Sequence, residues 1–296
     1  MESCRLADMV DDIGSDRQRS SPGPFDASAN LDAGEKDQAA EHSSPPAVVI
    51  HEIVRKDGEA ELARGSWAVF LSGLTAGLSM GFSFLGLALI QSALPDEPVR
   101  RLLDSFGYSV GFVIAILGRQ QLFTESTLTA ALPLFVRRDR ATFLSLMRFW
   151  GIVLGANILG TAIFAGSLAI PGVFTGPLRA ALVAIAHDSV LGPFWPTLIK
   201  AIYSGWLIAL MVWLLPSAKS ARLLVIMMLT YIVAIGRFSH VIAGSVEAFL
   251  AVFDGDASIY QYLTGFFAPT LIGNVIGGVG LVALLNHAPL APELQE

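Results

Sequence analysis

Three stretches of this chain carry no charged residue: 65–95, 149–178 and 257–292, which are 31, 30 and 36 positions long. A helix needs roughly 20 consecutive apolar residues to cross the hydrocarbon of a bilayer. No soluble core helix needs runs of such length, so they predict membrane spans. The whole chain agrees. It is 53% hydrophobic and 15% charged, against roughly 25% charged in a soluble domain. The apolar excess must face something other than water.

The tail is built differently. Residues 1–60 hold 13 of the 25 acidic residues and six of the 19 basic ones. Ser, Pro, Asp and Ala dominate, as in Ser20-Ser21-Pro22-Gly23-Pro24 and Ser43-Ser44-Pro45-Pro46. Such a stretch buries too little apolar surface to offset its ordering entropy. Residues 1–45 are expected to form a disordered acidic tail. The start MESCRLADMVDD has no basic n-region and no apolar core, so it is not a signal peptide. An acidic tail is poorly suited to translocation, which puts it in the cytoplasm. Residues 46–64 suit an amphipathic juxtamembrane helix, residues 65–288 a transmembrane channel domain, and residues 289–296 a short C-terminal tail. The lone Cys4 lies in the N-terminal tail and excludes a disulfide framework or a cysteine metal site.

Between the long runs lie interrupted ones. Residues 105–118 are uncharged, Arg119 and Glu125 intervene, and 126–136 are uncharged again. Residues 223–236 are uncharged, Arg237 follows, then 238–246. A further span over about 194–215 contains only Lys200 and ends at Pro216. The order is long, broken, long, then long, broken, long. This predicts an all-α integral membrane fold of six transmembrane spans. Three is odd, so the two three-helix repeats must be inverted relative to each other. Broken helices at matching places in inverted repeats point to a solute pathway, because protein or a water-filled cavity must cover each break.

Basic residues orient the spans. With the N-terminus inside, the cytoplasmic edges hold Arg55, Lys56, Arg64, Arg137, Arg138, Arg140, Lys219 and Arg222. The outer loops hold Arg100, Arg101 and Arg179. Both termini are therefore expected in the cytoplasm of a cell whose inner or plasma membrane holds the protein. Gly73, Gly77 and Gly81 recur every fourth residue, as do Gly151 and Gly155, and Gly273 and Gly277. This spacing predicts close helix packing in lipid; pore lining is the lesser alternative.

Of the histidines His42, His51, His187, His240 and His287, His240 is the one deep in a span. An ionisable residue there is costly and is by default a functional candidate. The competing reading is a histidine that merely bonds to backbone. Arg237, three residues earlier, either draws anions or forms a structural ion pair with Glu125 or Glu247. In the other break, Thr124 can offer its hydroxyl opposite His240 or cap a helix.

Several of these segments resemble the formate/nitrite transporter family. Phe267-Ala268-Pro269-Thr270-Leu271-Ile272-Gly273-Asn274-Val275-Ile276-Gly277-Gly278 is similar to the family's last-helix signature. Leu122-Phe123-Thr124 resembles its loop in the broken second helix, and Gly155-Ala156-Asn157-Ile158-Leu159-Gly160 its third helix. Phe238-Ser239-His240 stands where the family has its central histidine. Lys200-Ala201-Ile202 resembles the opening of its fourth helix. The resemblance covers residues 60–288.

It implies a homopentamer of aquaporin-like protomers, each with its own pore through two apolar constrictions that flank the histidine. Small anions such as formate, nitrite or hydrosulfide would pass, taking a proton relayed by His240 and Thr124. The outer constriction would fall on Tyr108 and Phe112, the inner one near Val233. Arg237 and Lys200 would set charge selectivity.

The chain departs from the family pattern at Gly205 (asparagine in anion-passing members), Ser239 (commonly glutamate) and Arg237 (glycine). Ser189 is nearest by count to the pore lysine of some members. These departures bear on the solute rather than the fold. A neutral-solute channel of aquaporin type is the alternative, although neither break carries an Asn-Pro-Ala sequence. A membrane enzyme would need clustered His, Asp or Glu, and His240 stands alone. The expected partners are a small anion or weak acid, the bilayer and further copies of the chain. No cofactor, metal or nucleic acid is expected.

Overall fold

The computed structural model of the protein describes residues 45–283 except 191, together with Asp32 and Gly34. The chain divides into residues 1–44 and 45–296. Apart from Asp32, Gly34 and Pro45, the expected tails over 1–45 and 289–296 lie outside the described residues.

Among the described residues all regular structure is helical. A first helix, α1 (Ala47–Ala63), leads into α2 (Ser66–Ala93). The first broken span follows as α3 (Arg100–Leu117), α4 (Phe123–Thr129) and α5 (Leu132–Arg137). Next come α6 (Arg140–Ala169), α7 (Gly176–Val190) and α8 (Phe194–Leu214). The second broken span is α9 (Arg222–Ile235) and α10 (Ala243–Asp254). The last helix, α11, runs over 259–283 and alternates α with π turns.

Local chemistry sets these ends. α2 stops at Leu94 because the residue before Pro95 is driven to extended backbone. Asp139 caps α6 by accepting from the Thr142 N–H at 2.9 Å. Ser258 and Gln261 form a reciprocal capping box at the start of α11. Pro269 lacks an N–H and its ring crowds the carbonyl four residues back, so the preceding turn widens to π over Tyr262–Phe267.

Helices over Ser66–Ala93, Arg140–Ala169, Phe194–Leu214 and Ile259–Gly280 are long and apolar enough to cross a membrane. The chain is an all-α, multi-pass membrane protein. The two other apolar stretches are divided by their breaks: α3 has 18 residues but opens with Arg100, Arg101 and Asp104, and α9 and α10 have only 14 and 12.

Close backbone contact holds the long helices together. A Cβ on Gly77 of α2 would lie 2.2 Å from the Asn157 carbonyl oxygen of α6, and one on Gly205 of α8 would lie 2.3 Å from the Asn274 carbonyl oxygen of α11. No side chain fits at either place. Gly160 and Gly277 repeat the pairing from the other side, pressed on α2 and α8 respectively. The stripe of small residues is not uniform, however. A Cβ at Gly151 or Gly155 would meet nothing within 4 Å. These two are exposed on the protomer, so among the described residues the packing expected of them is not made.

Two features differ from the charge pattern. The third span begins at Arg140, not at Phe149, and ends at Ala169. Arg148 sits inside it because its guanidinium reaches back to the carbonyls of Leu62 and Arg64. Helix α7 carries Arg179, His187 and Asp188 among alanines and was hidden by that mixture. The fourth span runs Phe194–Leu214 behind Pro193, as the run over about 194–215 predicts, so Lys200 lies six residues inside the helix rather than at its opening.

α1 docks on the protein as well as leading into the membrane. Gly58 would drive a Cβ to 1.9 Å from the Thr129 carbonyl oxygen. Thr129 Oγ1 donates to Glu61 at 2.6 Å, and Arg137 donates to Glu59 at 2.7 Å.

Candidate functional site

Both breaks use the same backbone device. After α3, Gly118 is followed by Arg119 at φ +51°, and after α9, Gly236 is followed by Arg237 at φ +49°. The Gln120 N–H then donates to the Ala115 carbonyl and the Phe238 N–H to the Val233 carbonyl, each at 2.9 Å. These bonds reach five residues back and close the helix end, with the left-handed residue just before the donor.

Two buried asparagines then hold the extended chain beyond each cap. Asn157 Oδ1 accepts from the Phe123 N–H at 2.8 Å, and its Nδ2 donates to Gln121 O at 2.9 Å and Gly73 O at 2.7 Å. Asn274 Oδ1 accepts from the Val241 N–H at 2.8 Å, and its Nδ2 donates to Ser239 O at 3.0 Å and Ala201 O at 2.8 Å. Backbone groups freed by a break would otherwise be orphaned in an apolar setting. The asparagines entered the sequence reading only as parts of motifs. Their signal was there: an amide deep inside each of two long apolar runs.

The two loops meet at their centre. His240 Nε2 lies 2.7 Å from Thr124 Oγ1, and both side chains are buried. His240 Nδ1 accepts the Ala243 N–H at 3.2 Å. A neutral ring that accepts at Nδ1 carries its hydrogen on Nε2, so Nε2–H donates to the threonine oxygen. Thr127 Oγ1 donates to the Thr124 carbonyl at 2.7 Å and steadies it. Thr124 therefore does not cap α4; Asn157 takes the Phe123 N–H instead. Phe112 stands edge-on to the imidazole with centroids 4.9 Å apart.

A cavity of about 310 Å³ opens on one side of this pair. Tyr108, Val233 and His240 line it, with Ser239, Gly244 and Glu247. Phe112 lies beyond it, packed in the core with Leu122 and Phe123. The expected constriction residues thus regroup. Val233 lines the same cavity as Tyr108 instead of a separate inner neck, because the cap at Phe238 brings the end of α9 against α3. The Arg101 side chain donates to the Ile235 carbonyl across the same seam.

Arg237 and Lys200 both line this cavity. Arg237 pairs with Asp188 of α7 at 3.5 Å, not with Glu125 or Glu247. Ser189 lines the cavity too. Gly205 does not face His240, since it is pressed on the backbone of α11. Among the described residues no three His, Cys, Asp or Glu side chains gather as a metal set.

The profile of the formate/nitrite transporter family matches residues 48–288. The inner membrane protein YfdC of Escherichia coli is 40% identical over 268 residues, 90% of this chain and 86% of that protein. A solved structure described as an FNT family ion channel superposes with a TM-score of 0.72 at 18% identity, covering 82% of this chain and 99% of the other. Another, a pentameric formate channel with formate bound, gives 0.65 at 19% identity over 76% and 98%. At these identities the two structures share the fold. The profile match and the E. coli relative together settle the kinship, and the chain belongs to the formate/nitrite transporter family.

Proposed function

We propose that this protein conducts small monovalent anions of weak acids, of the formate, nitrite or hydrosulfide type, with a proton relayed at His240. The observation that carries this reading is the buried 2.7 Å contact between His240 Nε2 and Thr124 Oγ1, held between two helix breaks. A bare anion loses its hydration in an apolar neck at large cost, and the neutral acid does not. Because His240 Nε2–H donates to Thr124 Oγ1, the Thr124 hydroxyl hydrogen is left to meet an arriving oxyanion, with the imidazole behind it. Tyr108 and Val233 form the constriction on the cavity side; Phe112, with Leu122 and Phe123, forms the other.

The same reading takes the protomer as six spans in two inverted three-helix repeats, aquaporin-like in outline. The matched bonds of Asn157 and Asn274 and the matched caps at Arg119 and Arg237 support it. The cavity then faces outward, both termini lie in the cytoplasm, and Arg237 and Lys200 tune anion access. The tail over 1–45 is separate from the channel domain over 65–288. Five copies would assemble, as in the pentameric formate channel that shares this fold, with the outward-facing Gly151 and Gly155 open to a neighbour.

A neutral-solute channel is the competing reading, because cations and carboxylates balance along the cavity wall. Uptake of labelled formate and of glycerol into proteoliposomes separates them. Formate uptake well above protein-free liposomes, with glycerol at background, supports the anion reading; the reverse overturns it.

A further inference from the structure

Glu247 stands on α10 two turns beyond His240, and both line the same cavity with Gly244 between them. The Phe266 ring, which also lines the cavity, lies 2.4 Å from where a Gly244 Cβ would stand and covers the glycine between the carboxylate and the imidazole. Among the described residues the Glu247 side chain makes no hydrogen bond and no ion pair. It is close enough to Tyr108 and Arg237 for its charge to act on both. A half-buried carboxylate without a direct partner, at the constriction of a solute path, is costly to keep.

The other charges around the cavity do not serve it. Three cations line the wall, Arg101, Lys200 and Arg237, against three carboxylates, Asp104, Asp188 and Glu247. Arg237 is engaged by Asp188 and Arg101 by the Ile235 carbonyl. The groups around Glu247 are therefore Arg101, Asp104 and Tyr108 from α3, Asp188 from α7, Lys200 from α8, and Arg237 and His240 from the loop. Tyr262 of α11 is turned away to the Ser245 hydroxyl at 3.0 Å. With all six charges present the wall has no net attraction for an anion. An anion at the constriction then meets the Glu247 carboxylate in a partly desolvated space, where like charges repel more strongly than in water.

We propose that Glu247 is a specificity-determining residue of the pathway: a carboxylate that bars anions from the constriction until it takes up a proton from the cavity water. Protonated, it becomes a hydrogen-bond donor to the oxyanion it previously repelled. The proton then either stays on Glu247 or leaves with the solute as the neutral acid, and cavity water reloads the carboxylate. The favoured solutes are conjugate bases of weak acids, which can share that proton. This rests on the anion reading above.

The test is formate flux into liposomes holding the full-length protein, measured across external pH 5 to 8. Glu247→Gln fixes the side chain in a neutral form of the same size. It should raise flux at pH 8 by about tenfold, the scale of removing one nearby charge at a partly desolvated site, and change flux little at pH 5. Profiles that superimpose on the parent after normalisation would overturn the proposal. A second route does not depend on that variant. Glu247→Cys in a Cys4→Ser background, modified by a neutral or an anionic thiol reagent of similar size, should conduct at pH 8 only with the neutral adduct. Equal conduction by both adducts would also overturn it. A parent protein that carries no formate at any pH rejects the anion reading itself, and the Glu247 proposal with it.

Discussion

Asn157 and Asn274 make the same three hydrogen bonds in the two halves of the chain. Each accepts one loop N–H and donates to one loop carbonyl and to one carbonyl of a neighbouring long helix. The result is two rigid loops that present Thr124 and His240 to each other. The site is thus fixed by residues that do not themselves face the solute.

Replacing either asparagine by Leu takes the partner from one loop N–H and one loop carbonyl, while the third carbonyl keeps its bond within its own helix. Each group left unpaired costs about 1–3 kcal/mol. Both Asn157→Leu and Asn274→Leu should lower the melting temperature in detergent markedly and abolish flux. A variant that melts like the parent would show that water replaces the amide.

The glycines divide into two groups. Gly77→Ala and Gly205→Ala force a methyl into a backbone carbonyl and should destabilise the protomer strongly. Gly155→Ala meets open space within the protomer and should leave its melting unchanged. Gly155→Leu should instead weaken the oligomer in native mass measurement, if this face meets a neighbour.

Arg237 occupies left-handed backbone that costs most side chains of order 1 kcal/mol and costs Gly little. Its exposed pair with Asp188 contributes about 0–1 kcal/mol. Arg237→Gly should therefore fold at least as well as the parent while anion flux falls. Loss of folded protein would show that the ion pair is structural.

The docking of α1 should depend on pH. Burial pushes the Glu61 carboxyl up from 4.5 to about 7, against the opposing hydrogen bond from Thr129. An undocked Glu61 releases its proton at lower pH than a docked one. The contribution is most favourable below about 4.5 and is lost as pH rises through about 7. The protection of α1 against hydrogen exchange, taken relative to the intrinsic rate at each pH, should fall over that window, and Glu61→Gln should remove that fall. An equal slope in the variant would place the titration elsewhere.

The membrane architecture was legible because uncharged runs are long and lipid tolerates few alternatives. His240 and Thr124 were legible because ionisable and hydroxyl residues at breaks in apolar spans stand out. What pattern could not give was pairing between distant segments. The partner of Arg237 lies on α7, a helix whose mixed composition read as a loop. The grouping of Val233 with Tyr108 depends on how the cap at Phe238 closes α9. Gly151 and Gly77 carry the same spacing, and only the fold tells an outward glycine from one pressed on a carbonyl.

The central claim is that His240 couples anion passage to a proton. Formate flux into liposomes against external pH, for the parent and for His240→Asn, tests it most directly. Asparagine keeps similar size and polarity and cannot relay a proton. The parent flux should rise as external pH falls, and the variant should give a flattened profile from an intact oligomer. Thr124→Val should flatten it less, because water can replace one hydroxyl. Identical profiles for the parent and His240→Asn would contradict the account and leave a pore that selects by size alone.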